Sequence, residues 1–354
     1  MAEKKNRETK KLATDKSIEG RRINWISRLL GPPPAGGLSL GIGDDAAVWK
    51  PRRGYRTILT VDSQSEGTHF LPGWLSPEEF GRRAVSSSIS DLAAMNARPA
   101  LVLVSLLLES KRTESYFRKL YGGIAAACED YGALIAGGNI SRGPLSITIT
   151  CIGEARESDI TSRDGLRNGD ELWVTGTPGL ANLGLLHLRD RIFGNSSSPE
   201  IRQAVEAFKK PRARIIEAAA LGRSWLPHAA IDLSDGLYKD LLHLLNSSSG
   251  HGGPEVGIVL EKQAIETLEP LGKLCSKVNR SPCQTALEGG EDYELLLAIP
   301  PGRATTARRR AFGRKFDLPM TRIGTVTSDQ PGLWLKIDSS GSLKQLTGNG
   351  FEHF

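Results

Sequence analysis

Paired cysteines, long apolar runs and the familiar phosphate-binding signatures are all missing from this chain. The four cysteines, Cys128, Cys151, Cys275 and Cys283, are scattered, with no Cys-x-x-Cys pair and no histidine at zinc spacing. That excludes a disulfide framework and a zinc ribbon and leaves reduced core thiols. The longest apolar run, Ala100 to Leu108, is broken by Ser105; it is less than half the length that crosses a bilayer and reads as a buried strand. The opening Met1-Ala-Glu-Lys-Lys-Asn-Arg-Glu-Thr-Lys-Lys11 holds none of the apolar core a secretory signal needs. Residues 1–16 are therefore expected to form a disordered basic tail, and the chain to be cytoplasmic with no membrane partner. No Gly-x-x-x-x-Gly-Lys-Ser/Thr, no Gly-x-Gly-x-x-Gly, no His-Arg-Asp with Asp-Phe-Gly and no Gly-x-Ser-x-Gly occurs. P-loop, Rossmann, protein-kinase and serine-hydrolase devices are excluded with them. Zinc-finger and ribonucleoprotein signatures are missing too, so nucleic acid is not expected as a partner.

What is present is ordinary in bulk. The 354 residues call for two domains of about 100–200 residues each, and 39% hydrophobic with 24% charged residues suits a globular chain. The net charge of +6 and pI near 9.1 draw partly on the opening tail and fit an anionic small substrate. A polar, glycine-punctuated stretch over residues 153–169 places a domain boundary near residue 155, giving segments 17–155 and 156–354. Strands and helices alternate in both, which predicts an α/β and α+β fold. The capping box Ser76-Pro77-Glu78-Glu79 opens a helix through about Asn96. A strand is expected at Arg56–Val61. Another, at Ala133–Ala136, is expected to empty into a Gly137-Gly-Asn-Ile-Ser-Arg-Gly143 loop able to wrap phosphate oxygens. Further helices are expected at Pro211–Leu221 and Leu237–Leu245, and a strand at Ala229–Leu233.

Acidic residues carry the chemistry. Asp44 and Asp45 sit in Gly41-Ile-Gly-Asp-Asp-Ala-Ala47, Asp62 ends the run Thr57-Ile-Leu-Thr-Val61, Asp91 lies in Ser88-Ile-Ser-Asp-Leu92, and Asp232 and Asp235 lie in Ala230-Ile-Asp-Leu-Ser-Asp-Gly236. Each stands where apolar sequence gives way to Gly, Ser or Thr. One such Asp alone is most simply a helix cap or an Asx-turn. The set as a whole is a kit for hard cations, Mg²⁺ above all, on phosphate oxygens. Phosphoryl transfer, in which positioning and charge neutralisation do most of the catalysis, is the reaction class.

These motifs, together with Val61-Asp-Ser-Gln-Ser-Glu-Gly-Thr-His-Phe70 and Gly289-Gly-Glu-Asp-Tyr-Glu-Leu295, closely resemble, and in the same order, those of the thiamine-monophosphate kinase family. That family shares its fold with aminoimidazole ribonucleotide synthetase and selenophosphate synthetase. The resemblance implies ATP-dependent phosphorylation of thiamine monophosphate to thiamine diphosphate. It also implies an N-terminal domain that makes a homodimer through its sheet, a C-terminal α/β domain and a site in the cleft between them. Carried over by motif, Asp45, Thr60, Val61, Asp62, Asp91, Asn139, Asp232 and Asp235 would hold several Mg²⁺. Gly138, Asn139, Arg163 and Ser234 would meet ATP, and His69, Glu291 and Phe351 the thiamine phosphate. Two positions depart from the pattern: Asn139 stands where the family has a metal-binding Asp, and Gly348 where it has an aromatic residue over the thiamine ring. Loss of that charge implies one Mg²⁺ held less tightly. A non-catalytic binding protein and a sister synthetase are the rival readings.

Overall fold

The computed structural model describes residues 17–32, 37–250, 255–338 and 340–347. The expected tail over residues 1–16, Gly348 and Phe351 lie outside the described residues.

The N-terminal half comprises α1 (Ile18–Leu30), β1 (Leu38–Leu40), β2 (Val48–Trp49), β3 (Arg56–Ser65), α2 (Pro77–Ala94), β4 (Arg98–Leu108), α3 (Glu114–Tyr131), β5 (Leu134–Arg142) and β6 (Ser146–Ala155). Local chemistry sets the helix ends. Ser76 and Glu79 close the predicted capping box, with Pro77 in the first turn of α2. Thr113 caps α3, which stops where Gly132 turns left-handed at φ 67°. Four strands form a sheet in the order β3-β6-β4-β5, in which only β4 and β5 run parallel. Strand alternation sends Val102, Val104 and Leu106 into a core with Phe80, Ile89, Phe117 and Leu120 of α2 and α3. The β1–β2 hairpin covers part of the other face, where Leu38 meets Leu101 and Ala136. Leu59 and Val61 stay 67% and 59% exposed there.

The C-terminal half comprises β7 (Glu171–Thr175), α4 (Leu180–Asp190), α5 (Pro199–Lys209), α6 (Ile215–Ser224), β8 (Ala229–Asp232), α7 (Leu237–Gly250), β9 (Gly257–Glu261), α8 (Lys262–Glu266), α9 (Leu271–Lys277), α10 (Pro282–Glu288), β10 (Leu295–Ile299), α11 (Thr306–Phe316), β11 (Met320–Thr327), β12 (Gly332–Lys336) and β13 (Leu343–Gln345). Seven strands line up as β13-β12-β9-β11-β7-β10-β8. Leu172 and Val174 enter the core under α4, α7 and α10. Trp173 between them faces the other way, into a cluster with Trp225 and Phe312 that also takes in Ala93 and Ala94 of α2. The tip of α2 is thus wedged against the second sheet, and that wedge positions the site. Among the described residues no helix is long and apolar enough to cross a membrane.

Several expected bounds shift. β3 runs on to Ser65, so Asp62 is mid-strand. The helix expected from Pro211 begins at Ile215, the preceding Ala213 giving its N–H to the Tyr131 hydroxyl at 2.9 Å, and α7 continues to Gly250. The glycine loop expected after Ala136 is the larger correction: Gly137 and Gly138 lie within β5, in register with Leu103 and Val104. Gly138 adopts φ 151°, and a Cβ there would stand 1.9 Å from the Val104 carbonyl oxygen. Glycine is needed for close strand pairing, and no phosphate-wrapping loop forms at this point.

Candidate active site

Asp62, Asp91, Asp232 and Asp235 line one cavity of about 500 Å³ with His69, Ser234 and Glu291. β3 supplies Asp62 on the face toward α2, since alternation sends Leu59 and Val61 to the opposite face. Asp91 rides near the end of α2, and its Oδ2 accepts the Thr60 hydroxyl at 2.5 Å. Asp232 ends β8 at 3% exposure. A second cavity, about 350 Å³, is lined by Thr60, Asp91, Met95, Arg163 and Ser247. Asp91 is the acidic residue common to both.

Electrostatics follow from this crowding. Burial first, then Asp91 and Glu291, push the Asp62 carboxyl up to about 6. Burial and then Asp91 raise Asp232 as well, against the opposing pull of Ser90 and Arg163. Carboxylates that cannot all ionise in a dry cleft suit a hard cation. Among the described residues, however, no three His, Cys, Asp or Glu side chains close around a single point as an ion cage. The donor set fits cations that take part of their coordination from a phosphate-bearing ligand.

Two loops frame the cleft. The Glu291 N–H donates to the Ser234 carbonyl and the Tyr293 N–H to that of Leu233, both at 2.8 Å. Glycine is required at position 290, where a Cβ would lie 2.4 Å from the Ser234 oxygen. His69 accepts the Ser65 N–H on Nδ1 at 3.1 Å, which leaves the ring proton of the neutral form on Nε2.

Other residues singled out in the sequence lie elsewhere. Asp45 is exposed in a turn where it donates its N–H to Asp44 Oδ1 at 2.9 Å, and it lines neither cavity. Gly138 and Asn139 line neither; Asn139 pairs in register with Ser105 on the face away from α2 and α3 and donates to Ser141 Oγ at 3.0 Å. The Val61 side chain points away, so only its carbonyl could face a ligand. Two buried neighbours of the cavity residues escaped the sequence. Asp240, 1% exposed, accepts the Asp235 N–H at 3.3 Å, and burial, then Asp232 and Asp235, raise it to about 8. Its signal was an acid in the first turn of the helix that follows Ser234-Asp235-Gly236. Arg83, fully buried in α2, reaches Glu291; nothing in the Arg82-Arg83 pair tells the buried arginine from its exposed neighbour.

The AIR synthase related protein, N-terminal domain, matches residues 43–155. The thiamine-monophosphate kinase of Rhodopirellula baltica is 32% identical over 325 residues, covering 89% of this chain and 92% of that protein. That of Escherichia coli is 31% identical over 318 residues, covering 90% and 92%. The structure of AaThiL complexed with AMPPCP and TMP superposes with a TM-score of 0.72 at 31% identity, covering 95% of this chain and 96% of that one. The hydrogenase maturation protein HypE, at 20% identity and a TM-score of 0.69, shares the fold. Matching motifs in matching order, nearly end-to-end identity above 30% and the same two-sheet architecture place this chain in the thiamine-monophosphate kinase family.

Proposed function

We propose that this chain transfers the terminal phosphoryl group of ATP to the phosphate of thiamine monophosphate, giving thiamine diphosphate. The observation that carries this reading is that Asp91 borders two cavities, one lined by His69 and Glu291 and the other by Arg163. Two polyanions seated one in each cavity would meet at that carboxylate. Asp62, Asp91 and Asp232, with Thr60, Asp235 and Ser234 beside them, would hold Mg²⁺, which when bound offsets the repulsion between the two phosphates. No side chain need act as base, because the acceptor phosphate is already an anionic nucleophile. What the protein does is hold the acceptor through His69 and Glu291, hold the nucleotide through Arg163 and Ser234, and exclude water between them.

The two sheets would form two domains meeting near residue 155, with the cleft at their junction. Leu59 and Val61 leave an apolar strip on the first sheet, which supports a homodimer through that face; sedimentation showing only monomers at micromolar concentration would remove it. A cytoplasmic setting agrees with the substrates. Incubation with ATP, Mg²⁺ and thiamine monophosphate, followed by chromatography, should yield thiamine diphosphate and ADP. Thermal stabilisation by both ligands with no product would instead make this a binding protein.

A further inference from the structure

We propose that Arg83 is a positioning residue for acceptor recognition: from the N-terminal half it clamps one oxygen of Glu291 and leaves the other as the acceptor that faces the thiamine moiety. The inference rests on thiamine monophosphate being the acceptor.

Arg83 has no exposed surface, and its Nη2 donates to Glu291 Oε2 at 2.5 Å. The Tyr293 hydroxyl donates to the same oxygen at 2.7 Å. Neither donor is placed on Oε1, so one carboxylate oxygen is saturated and the other is left to a cavity that Glu291 itself lines. The guanidinium is fixed from behind by the Phe208 carbonyl and by the Phe208 ring, 4.4 Å from its centroid. The contacts of Arg83 cross between the halves, since Arg83 belongs to α2 while Phe208 and Glu291 belong to the C-terminal half; the Tyr293 contact lies within that half.

Stability does not account for the arrangement. A buried ion pair roughly breaks even against apolar packing, and here the Arg83 Nε is buried with no acceptor, a further cost. Glu291 and Tyr293 both hold a positive φ, 73° and 52°, a conformation that non-glycine residues keep only where the surroundings over-determine it. Strain, an orphaned N–H and a fully desolvated charge converge on one carboxylate at a cavity wall, as expected of a preorganised recognition group. The single outward oxygen suits an N–H donor, and the exocyclic amine of the pyrimidine ring is the N–H donor that thiamine monophosphate offers.

The test measures binding of thiamine monophosphate and of a non-hydrolysable ATP analogue by calorimetry, with turnover alongside, for the parent chain, R83M, R83K, E291Q and the R83M/E291Q double variant. R83M should weaken thiamine monophosphate about tenfold or more while the ATP analogue stays within about twofold. R83K keeps the charge but not the forked reach, so it should recover part of the loss. The double variant should be no worse than the weaker single one, because both remove the same contact. A merely structural role would weaken both ligands together or lower the melting temperature alone. Unchanged acceptor binding in R83M, equal loss for both ligands, or losses that multiply in the double variant would each overturn the proposal. Should R83M fail to fold, R83K binding the acceptor as tightly as the parent does so. A parent chain that binds and turns over the ATP analogue's parent nucleotide with another acceptor, and ignores thiamine monophosphate, would overturn the functional reading itself.

Discussion

Two acidic, glycine-flanked stretches look alike in the sequence and behave differently in the fold. In Gly289-Gly-Glu-Asp-Tyr-Glu294 every acid is tied to a different element. Glu291 meets Arg83 of α2. Asp292 accepts the Gly179 and Ala181 N–H groups at 2.6 and 3.0 Å, at the start of α4. Glu294 takes the Arg214 guanidinium and, at 2.5 Å, the Thr175 hydroxyl. In Gly41-Ile-Gly-Asp-Asp-Ala-Ala47 the acids are exposed and, among the described residues, bonded only within their own turn. The first stretch is tied across the fold; the second has no side-chain partner outside its own turn among the described residues. Preorganisation therefore lies on the Glu291 side of the cleft.

The sharpest way to break that comparison is at the residue both cavities share. Asp91→Asn keeps the shape and the Thr60 contact while removing the charge, and should lower turnover about a thousandfold, the loss of several kcal/mol of charge stabilisation. Circular dichroism should be unchanged. Activity within tenfold of the parent would mean that the two cavities do not meet at Asp91.

Next comes stability. Glu294→Gln removes the nearer counter-charge of half-buried Arg214, leaving it Glu217 at 3.9 Å, and should cost about 3 kcal/mol in denaturant unfolding. Asp45→Asn in the exposed turn should change stability by less than about 0.5 kcal/mol. Equal costs would erase the distinction between a tethered and an untethered loop.

The contrast also explains what could be read from residues alone. Helix α2 was legible because Ser76, Pro77 and Glu79 form a complete local start signal, and Asp62, Asp91 and Asp232 were legible because acids rarely interrupt apolar runs without a reason. What escaped was non-local. Nothing near Gly138 announces that Val104, from another strand, comes too close for a Cβ. Nothing near Arg83 announces a glutamate 208 residues further along. A turn such as Asp44-Asp45 reads as part of the acidic set by composition, yet its place relative to the cavities depends on how the hairpin packs.

A smaller effect concerns pH. The Asp62 carboxyl is raised to about 6, so between about pH 4 and pH 6 the folded chain keeps a proton that the unfolded chain has lost. That contribution to stability is complete below the ordinary carboxylate range and is lost as pH rises through 6. In chelator, the melting temperature should therefore fall by a few degrees from pH 5 to pH 7. Mg²⁺ competes for the ionised form, so its stabilising increment should grow over the same interval. Asp62→Asn should flatten both trends, and a parent profile that rises with pH in chelator would contradict the assignment.

The smallest expected effect falls on Asn139. It is exposed on β5, its side chain bonded among the described residues only to Ser141, on the sheet face that also carries Leu59 and Val61 and outside both cavities. A carboxylate at such a position adds a solvated charge at little cost, so Asn139→Asp should leave the metal-free melting temperature within about a degree of the parent. If this strand contributes to cation binding in the working assembly, the added charge should lower the Mg²⁺ concentration for half-maximal rate about threefold, because hard cations gain affinity with each anionic oxygen. An unchanged Mg²⁺ requirement would make Asn139 a strand residue only, and the cation chemistry would then belong entirely to the carboxylates around Asp91.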